Sequence, residues 1–85
     1  MKDFYNLVAQ IKNPKDIEKL FCEIFTINEI KTLSKRWRIL EMLVKNHTQR
    51  EISDELGVSL CKVTRGSKIL KDKNAIVTKF LIKEK

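Results

Sequence analysis

Residues 48–71, "TQREISDELGVSLCKVTRGSKILK", limit the possible folds of this chain more than any other stretch. Thr48 and Glu51 have the spacing of a capping box, which predicts that a short helix begins here. Gly57 is expected to end that helix, because glycine adopts left-handed backbone angles without a clash. Ser59 then caps a second helix. Two short helices joined at a glycine corner indicate a helix-turn-helix, whose second helix can enter a DNA major groove.

The same stretch separates into an apolar face and a polar face. The residues expected to point inward are Ile52, Leu56, Val58, Val63, Ser67 and Leu70. The opposite face of the second helix carries short side chains near its start and basic ones further along, which suits contact with base edges and phosphates. The candidate DNA-binding residues are Gln49, Arg50, Ser59, Leu60, Cys61, Lys62, Thr64, Lys68 and Lys71. An ordinary solvated surface remains the alternative for each of them.

The rest of the chain also has a helical pattern. Only two glycines and one proline occur in 85 residues, which leaves few residues for the turns of a sheet. Apolar positions at three- and four-residue steps predict a first helix from Asp3, a second from Pro14 capped by Asn13, a third over about residues 27–45, and a last one from about Asn74. Thr26 and Glu29 have the spacing of a capping box for the third helix. The expected fold class is all-α, with about six helices in a single domain, residues 1–85.

Positive charge is concentrated in the later part of the chain. The net charge is +7, and residues 29–85 account for all of it, with fourteen basic and seven acidic residues. Such an excess is typical of proteins that bind polyanions, because Lys and Arg displace counterions from phosphates. A basic surface that serves solubility is the alternative on charge alone.

The sequence gives little support for a metal site, a disulfide, a membrane span or catalytic activity. Cys22 and Cys61 lie far apart and His47 is the only histidine, so neither a zinc site nor a disulfide is expected. The longest uncharged stretch, residues 4–11, is too short for a membrane span or a signal peptide. No catalytic residue is predicted, since neither His47 nor Cys22 has a suitable neighbour in sequence. We expect a cytoplasmic protein with reduced thiols, and Cys22 packed within the fold.

Together with "FTINEIKTLSKRWRILEMLV" ahead of it, the stretch at 48–71 resembles the bacterial tryptophan repressor family over about residues 17–73. The most specific matches are "TQREI", "TRGS" and the run from Arg36 to Ile39. The resemblance implies an intertwined, all-helical homodimer that binds a palindromic operator in double-stranded DNA. It also implies L-tryptophan as a corepressor.

The resemblance further implies a ligand site. In the family, an indole ring lies between two arginines and beside a glycine, and Arg36, Arg65 and Gly66 match these positions. Thr26 matches a threonine that helps to hold the ligand carboxylate. Guanidinium planes stack on aromatic faces, and one of them can also bind a carboxylate. Close helix packing against a partner subunit is the other explanation for Gly66. Trp37 is expected at the subunit interface, with a place in the core or a ring that crowds the ligand pocket as the alternatives.

Two positions depart from the family pattern. Ile69 stands where the family has a serine that meets the amino group of tryptophan, and Lys62 replaces a threonine beside the ligand and the DNA. An ammonium without its acceptor would lose roughly 1–3 kcal/mol. The segment "FTINEIKTLSKR" is also similar to a sister group of repressor-like proteins that have no established effector. An effector-independent DNA-binding protein and a helical protein-interaction module therefore remain alternatives to a tryptophan-controlled repressor.

Overall fold

The structure, a computed structural model, describes residues 1–83, and that part of the chain contains six α-helices and no strand. The helices are α1 (Lys2–Gln10), α2 (Pro14–Ile24), α3 (Ile27–Val44), α4 (Gln49–Leu56), α5 (Leu60–Lys71) and α6 (Ile76–Lys83). The all-α prediction is therefore confirmed. The chain divides into two compact units, one of residues 1–32 and one that begins at Leu33. The organisation as a single domain stays a prediction.

Four of the predicted helix starts, those capped by Asn13, Thr26, Thr48 and Ser59, are present, because each cap is determined by residues close in sequence. The first helix begins at Lys2 and the last at Ile76, close to the predicted Asp3 and Asn74. The Oδ1 of Asn13 accepts the N–H of Lys15 at 2.9 Å, ahead of α2. Two capping boxes precede α3 and α4. Their four hydrogen bonds are Glu29 N–H to Thr26 Oγ1 (3.1 Å), Thr26 N–H to Glu29 Oε1 (2.8 Å), Glu51 N–H to Thr48 Oγ1 (3.1 Å) and Thr48 N–H to Glu51 Oε1 (3.0 Å).

The end of α3 contains a left-handed residue that the sequence patterns did not single out. Asn46 has a φ of 68°. Its N–H donates to the carbonyl of Leu43 at 3.0 Å, and the N–H of His47 donates to the carbonyl of Met42 at 3.1 Å. These two bonds satisfy carbonyls that a helix end leaves open, and they turn the chain toward α4. Asparagine tolerates this conformation better than most residues, so its presence at position 46 was the feature of the sequence that could have indicated a left-handed turn.

Changes at the two left-handed positions are expected to shift stability in opposite directions. Gly57→Ala should lower the free energy of unfolding by about 1 kcal/mol, since its φ of 63° is unfavourable for a residue with a Cβ. Asn46→Gly should raise it by roughly 0.5 kcal/mol, because the strain is removed. Urea unfolding followed by circular dichroism measures both. Gly57→Asn is the control and should cost less than Gly57→Ala; equal losses would show that the conformation is not the cause.

Aromatic rings of α1 and α2 lie close together in the first unit. The ring of Phe4 in α1 lies 6.1 Å from that of Phe21 in α2, and Phe21 lies 5.3 Å from Phe25. No residue of α1 or α2 is fully buried in this chain. Cys22 is exposed, so the prediction that it packs within the fold is wrong for this chain by itself.

The second unit contains a small, well-buried core that holds α4 and α5 against the later part of α3. Ile39 and Met42 of α3, Ile52 of α4 and Val63 of α5 are each no more than 3% exposed. Leu43, Leu56 and Val58 pack around them. The predicted inward positions Ile52, Leu56, Val58 and Val63 are thus confirmed. A further hydrogen bond joins α6 to α5, from the hydroxyl of the buried Thr78 to the carbonyl of Ile69 at 2.9 Å.

Candidate functional site

The corner between α4 and α5 is fixed by two hydrogen bonds between the same residues. The N–H of Val58 donates to the carbonyl of Ser53 at 3.2 Å, and the hydroxyl of Ser53 donates to the carbonyl of Val58 at 2.6 Å. Gly57 adopts the left-handed conformation, and Ser59 then caps α5 by accepting the N–H of Lys62 at 3.4 Å. The sharp turn predicted at Gly57 is therefore present, and the start of α5 is held in one orientation.

One face of α5 is exposed and carries most of the predicted DNA-binding residues. The exposed ones on this helix are Leu60, Cys61, Lys62, Thr64, Lys68 and Lys71, and Gln49 and Arg50 of α4 are exposed as well. A shallow depression on α5 is lined by Leu60, Cys61, Thr64, Arg65 and Lys68. Helical spacing at 100° per residue places Lys71 on the same side as Leu60 and Thr64. The same spacing places Lys62 on the far side of the helix, away from this depression.

The cations of α5 have no acidic partner among the described side chains. Among the described side chains, the close contacts between basic and acidic groups are Arg38–Glu41 at 3.8 Å and His47–Glu51 at 3.9 Å. Lys62, Arg65, Lys68 and Lys71 take part in neither of them. Exposed cations without a carboxylate neighbour are free to neutralise the charges of a polyanion.

Two of the predicted DNA contacts bind each other. The hydroxyl of Thr64 in α5 donates to the Oε1 of Gln49 in α4 at 3.0 Å, and both side chains are exposed. This bond links the start of α4 to the middle of α5. The amide NH₂ of Gln49 keeps its donors, so the pair still presents hydrogen-bonding groups at the surface.

The capping box of α4 should make stability depend on pH. Hydrogen bonds from the backbone and side chain of Thr48, followed by the nearby His47, hold the pKa of Glu51 below its usual value. A lowered pKa contributes stability at pH values above the ordinary pKa of a glutamate, and that contribution is lost as the pH falls through the lowered value. NMR titration of Glu51, with unfolding measured from pH 7 to pH 3, tests this. Glu51→Gln cannot titrate, so its stability difference from the wild type should shrink in acid; a constant difference would contradict the expectation.

A cleft of about 250 Å³ lies between α3 and α5. It is lined by Arg36, Ile39, Leu40, Lys62, Arg65, Gly66 and Ile69. Three of the seven lining residues are cations, none is acidic, and the others are apolar. The cleft can therefore hold an anion that has an apolar body.

The cleft brings together three of the four residues predicted to bind a ligand. Arg36, Arg65 and Gly66 all line it, whereas Thr26 belongs to the first unit and is not among its lining residues. The hydroxyl of Thr26 accepts the N–H of Glu29 in a capping box. Ligand binding by each of the four stays a prediction.

Gly66 allows α5 to lie close to α3 of the same chain. A Cβ at this position would be 3.0 Å from Cγ2 of Ile39, 3.4 Å from Cδ1 of Leu43 and 3.5 Å from Cδ2 of Leu40. The sequence suggested room for a ligand or packing against a partner subunit, but the close contact is with the chain's own α3. Ile39 and Leu40 also line the cleft, so the glycine helps to set the position of its apolar wall.

The apolar wall was not recognised from the sequence. Ile39 was noted as part of the family match and Leu40 as part of a helical pattern, and neither was predicted to line a ligand site; Lys62 was predicted to contact DNA and, by resemblance, to lie beside the ligand. The available signal was spacing: Ile39 and Leu40 follow Arg36 by three and four residues on α3, and Ile69 follows Arg65 by four on α5. Residues at these steps share a helix face.

No helix in residues 1–83 is long and apolar enough to cross a bilayer. Nor does that part of the chain bring three or more His, Cys, Asp or Glu side chains together as metal ligands.

The chain matches the family model described as Trp repressor protein over residues 1–85. The Trp operon repressor homolog of Chlamydia trachomatis serovar L2 is 34% identical over 82 residues, which cover 95% of this chain and 87% of that relative. The homolog of Chlamydia caviae is 38% identical over 79 residues, with 92% and 75% covered. That of Xylella fastidiosa strain 9a5c is 46% identical over 61 residues, with 69% and 66% covered.

Among solved structures, none gives a significant match to this one. The family match extends over the whole length of the chain and includes the helix-turn-helix and the cationic cleft. The relatives are named as repressors, which are regulatory proteins and not enzymes. The chain therefore belongs to the Trp repressor protein family.

Proposed function

We propose that this repressor-type regulator binds operator DNA through α4 and α5, in the cytoplasm and as a homodimer, under the control of a ligand in the cleft between α3 and α5. L-Tryptophan is the candidate corepressor. The observation that carries the proposal is the exposed face of α5, whose cations have no acidic partner among residues 1–83 and whose orientation is set by the corner at Gly57.

The exposed face of α5 suits a major groove in both shape and chemistry. Its first turn presents Leu60 and Cys61, and Thr64 follows one turn later, so that the backbone can approach base edges closely. Leu60 is 50% exposed and can contact a thymine methyl. Lys68 and Lys71 at the end of the helix are placed for phosphates. Arg50 at the start of α4 adds a further cation near the backbone of the duplex.

The apolar surface of the chain supports the homodimer. Large apolar side chains that are exposed in the single chain include Ile27, Leu33, Trp37, Ile76 and Phe80. A second copy could bury them, and a domain of this size gains much of its stability from such burial. Trp37, the only tryptophan, is 45% exposed here. In a homodimer we expect acrylamide to quench its fluorescence weakly; strong quenching, together with a monomer in sedimentation equilibrium, would contradict the dimer.

The position of the cleft supports control by a ligand. A molecule bound there would contact α3 and α5 at once. It would favour the orientation of α5 in which it can make its contacts with both helices. In a two-fold dimer, this orientation would determine whether the two copies of α5 reach successive major grooves about 34 Å apart. Arg36 and Arg65 can stack on an aromatic ring and bind a carboxylate.

Selection of bound duplexes from a random pool, with and without L-tryptophan, tests the proposal. A two-fold symmetric consensus is expected, and its recovery should increase when the amino acid is present. A consensus that does not depend on the ligand would favour an effector-independent DNA-binding protein. Failure to retard any duplex at low salt would reject DNA binding and favour a protein-interaction module.

A further inference from the structure

Thr78 is a buried threonine whose hydroxyl bonds outside its own helix. It lies in the first turn of α6 and is 5% exposed. A threonine within a helix commonly donates to a carbonyl three or four residues earlier in the chain. The hydroxyl of Thr78 donates instead to the carbonyl of Ile69, nine residues earlier, at 2.9 Å. This bond therefore joins α6 to the last turn of α5.

The last turn of α5 is a place where a helix leaves carbonyls open. The carbonyl of Ile69 accepts two hydrogen bonds, one from the N–H of Asp72 at 3.1 Å and one from the hydroxyl of Thr78. A carbonyl oxygen has two lone pairs, so both bonds can form at once. The bond from Asp72 is local and moves with the turn, whereas the bond from Thr78 fixes the turn relative to α6.

The same turn carries one of the predicted phosphate contacts. Lys71 is the last residue of α5, two positions after Ile69, and it is exposed. It lacks an acidic partner among the described side chains. A cation at a frayed helix end must be ordered when it binds a phosphate, which costs conformational entropy. A turn that is already fixed avoids part of this cost.

From this arrangement we infer that Thr78 is a positioning residue for DNA binding, because its hydroxyl holds the last turn of α5 so that Lys71 meets a phosphate from an ordered helix end. The inference rests on the proposed function, since Lys71 is a predicted contact of operator DNA. Thr78 is buried, so it acts through Lys71 and not by its own contact with the duplex.

Two variants at position 78 separate the hydroxyl from the shape of the side chain. Thr78→Val keeps the branched shape and removes the donor, while Thr78→Ser keeps the donor. Thermal unfolding verifies that both are folded. Fluorescence anisotropy with a labelled duplex of mixed sequence measures binding, since phosphate contacts carry no sequence information. We expect Thr78→Val to weaken binding by about five-fold, and Thr78→Ser to stay within about two-fold of the wild type.

A double-mutant cycle with Lys71→Ala shows whether the effect passes through Lys71. In a chain without Lys71, the change Thr78→Val should weaken binding by less than about two-fold. An equal loss with and without Lys71 would overturn the inference, because it would point to a general effect on folding or on assembly. A serine variant as weak as the valine variant, or a valine variant as tight as the wild type, would overturn it as well.

Amide hydrogen exchange in the absence of DNA tests the structural step directly. The amides of Lys71 and Asp72 should exchange roughly two- to ten-fold faster in Thr78→Val than in the wild type, because one hydrogen bond to the turn is lost. The amide of Ile52 in α4 should be unchanged. If the wild type binds the duplex but neither exchange nor affinity responds to Thr78, the inference alone is wrong. If the wild type retards no duplex at low salt, the proposed DNA binding is wrong and the inference falls with it.

Discussion

Leucine in place of Gly66 is expected to lower the free energy of unfolding by about 2–3 kcal/mol, one of the largest effects of a single substitution in this chain. Even a Cβ at this position would lie 3.0 Å from a methyl group of Ile39, which is attached to the branched Cβ of that residue and has little freedom to move. The remaining atoms of leucine would push α5 away from α3. Overpacking of this kind typically costs ~1–3 kcal/mol. Chemical unfolding followed by circular dichroism measures the loss.

Two comparisons isolate the cause. Gly66→Ala gains about 1 kcal/mol of helix propensity, which the crowding against Ile39 offsets, so its stability should lie near that of the wild type or below it. Lys68→Leu adds the same side chain on the exposed side of α5 and should change stability by less than about 0.5 kcal/mol. If Gly66→Leu were as stable as Lys68→Leu, the contact between α5 and α3 could not be what requires the glycine.

The features that the sequence predicts best are those set by neighbours along the chain. The capping boxes at Thr26 and Thr48 depend on residues three positions away, and the corner at Gly57 depends on its own backbone angles. Local chemistry was therefore sufficient to predict these starts and the helix-turn-helix. Asn46 is equally local, but asparagine is common in turns of many kinds, so its left-handed role did not stand out.

The features that could not be predicted from local sequence patterns depend on residues far apart in the chain. The neighbours of Gly66 are Ile39, Leu40 and Leu43, more than twenty positions earlier. A pattern within α5 shows that the glycine is unusual, but it does not show which surface approaches it. For the same reason, the residue pattern within α5 predicted only a DNA contact for Lys62, and its place beside a ligand came from the family resemblance; the packing of α3 on α5 places it in the lining of a cleft. The bond between Gln49 and Thr64 is another such contact.

Arg65 connects the two parts of the candidate site. It lines the cleft between α3 and α5 and also the depression on the exposed face of α5. Under the proposed function, a ligand that bound its guanidinium in the cleft would change what the same side chain offers to DNA. Coupling between two binding equilibria is reciprocal, so operator DNA should change ligand affinity by the same factor as the ligand changes DNA affinity. Arg65 is thus a residue through which ligand binding in the cleft would affect DNA binding by the exposed face of α5.

Removal of two cations from the end of α5 should nearly abolish DNA binding at physiological salt. In a homodimer, the double variant Lys68→Ala, Lys71→Ala deletes four positive charges from the proposed interface. Each lost phosphate contact reduces the magnitude of the negative slope of log affinity against log salt by about 0.9. The slope should therefore become shallower by up to about 3.5. The affinity should drop by roughly 100-fold or more near 0.15 M salt, because both lysines are exposed and lack an acidic partner among residues 1–83. Fluorescence anisotropy over a range of salt concentrations measures both quantities.

A matched variant separates contact from overall charge. Lys12→Ala, Lys15→Ala removes the same charge from exposed positions around the start of α2, in a part of the chain with no net positive excess. If α5 contacts phosphates directly, this control should lose less than about ten-fold and keep most of its salt slope, because only charges that contact phosphates release their counterions. Equal losses in the two double variants would mean that the net charge of the chain, and not the exposed face of α5, attracts the duplex.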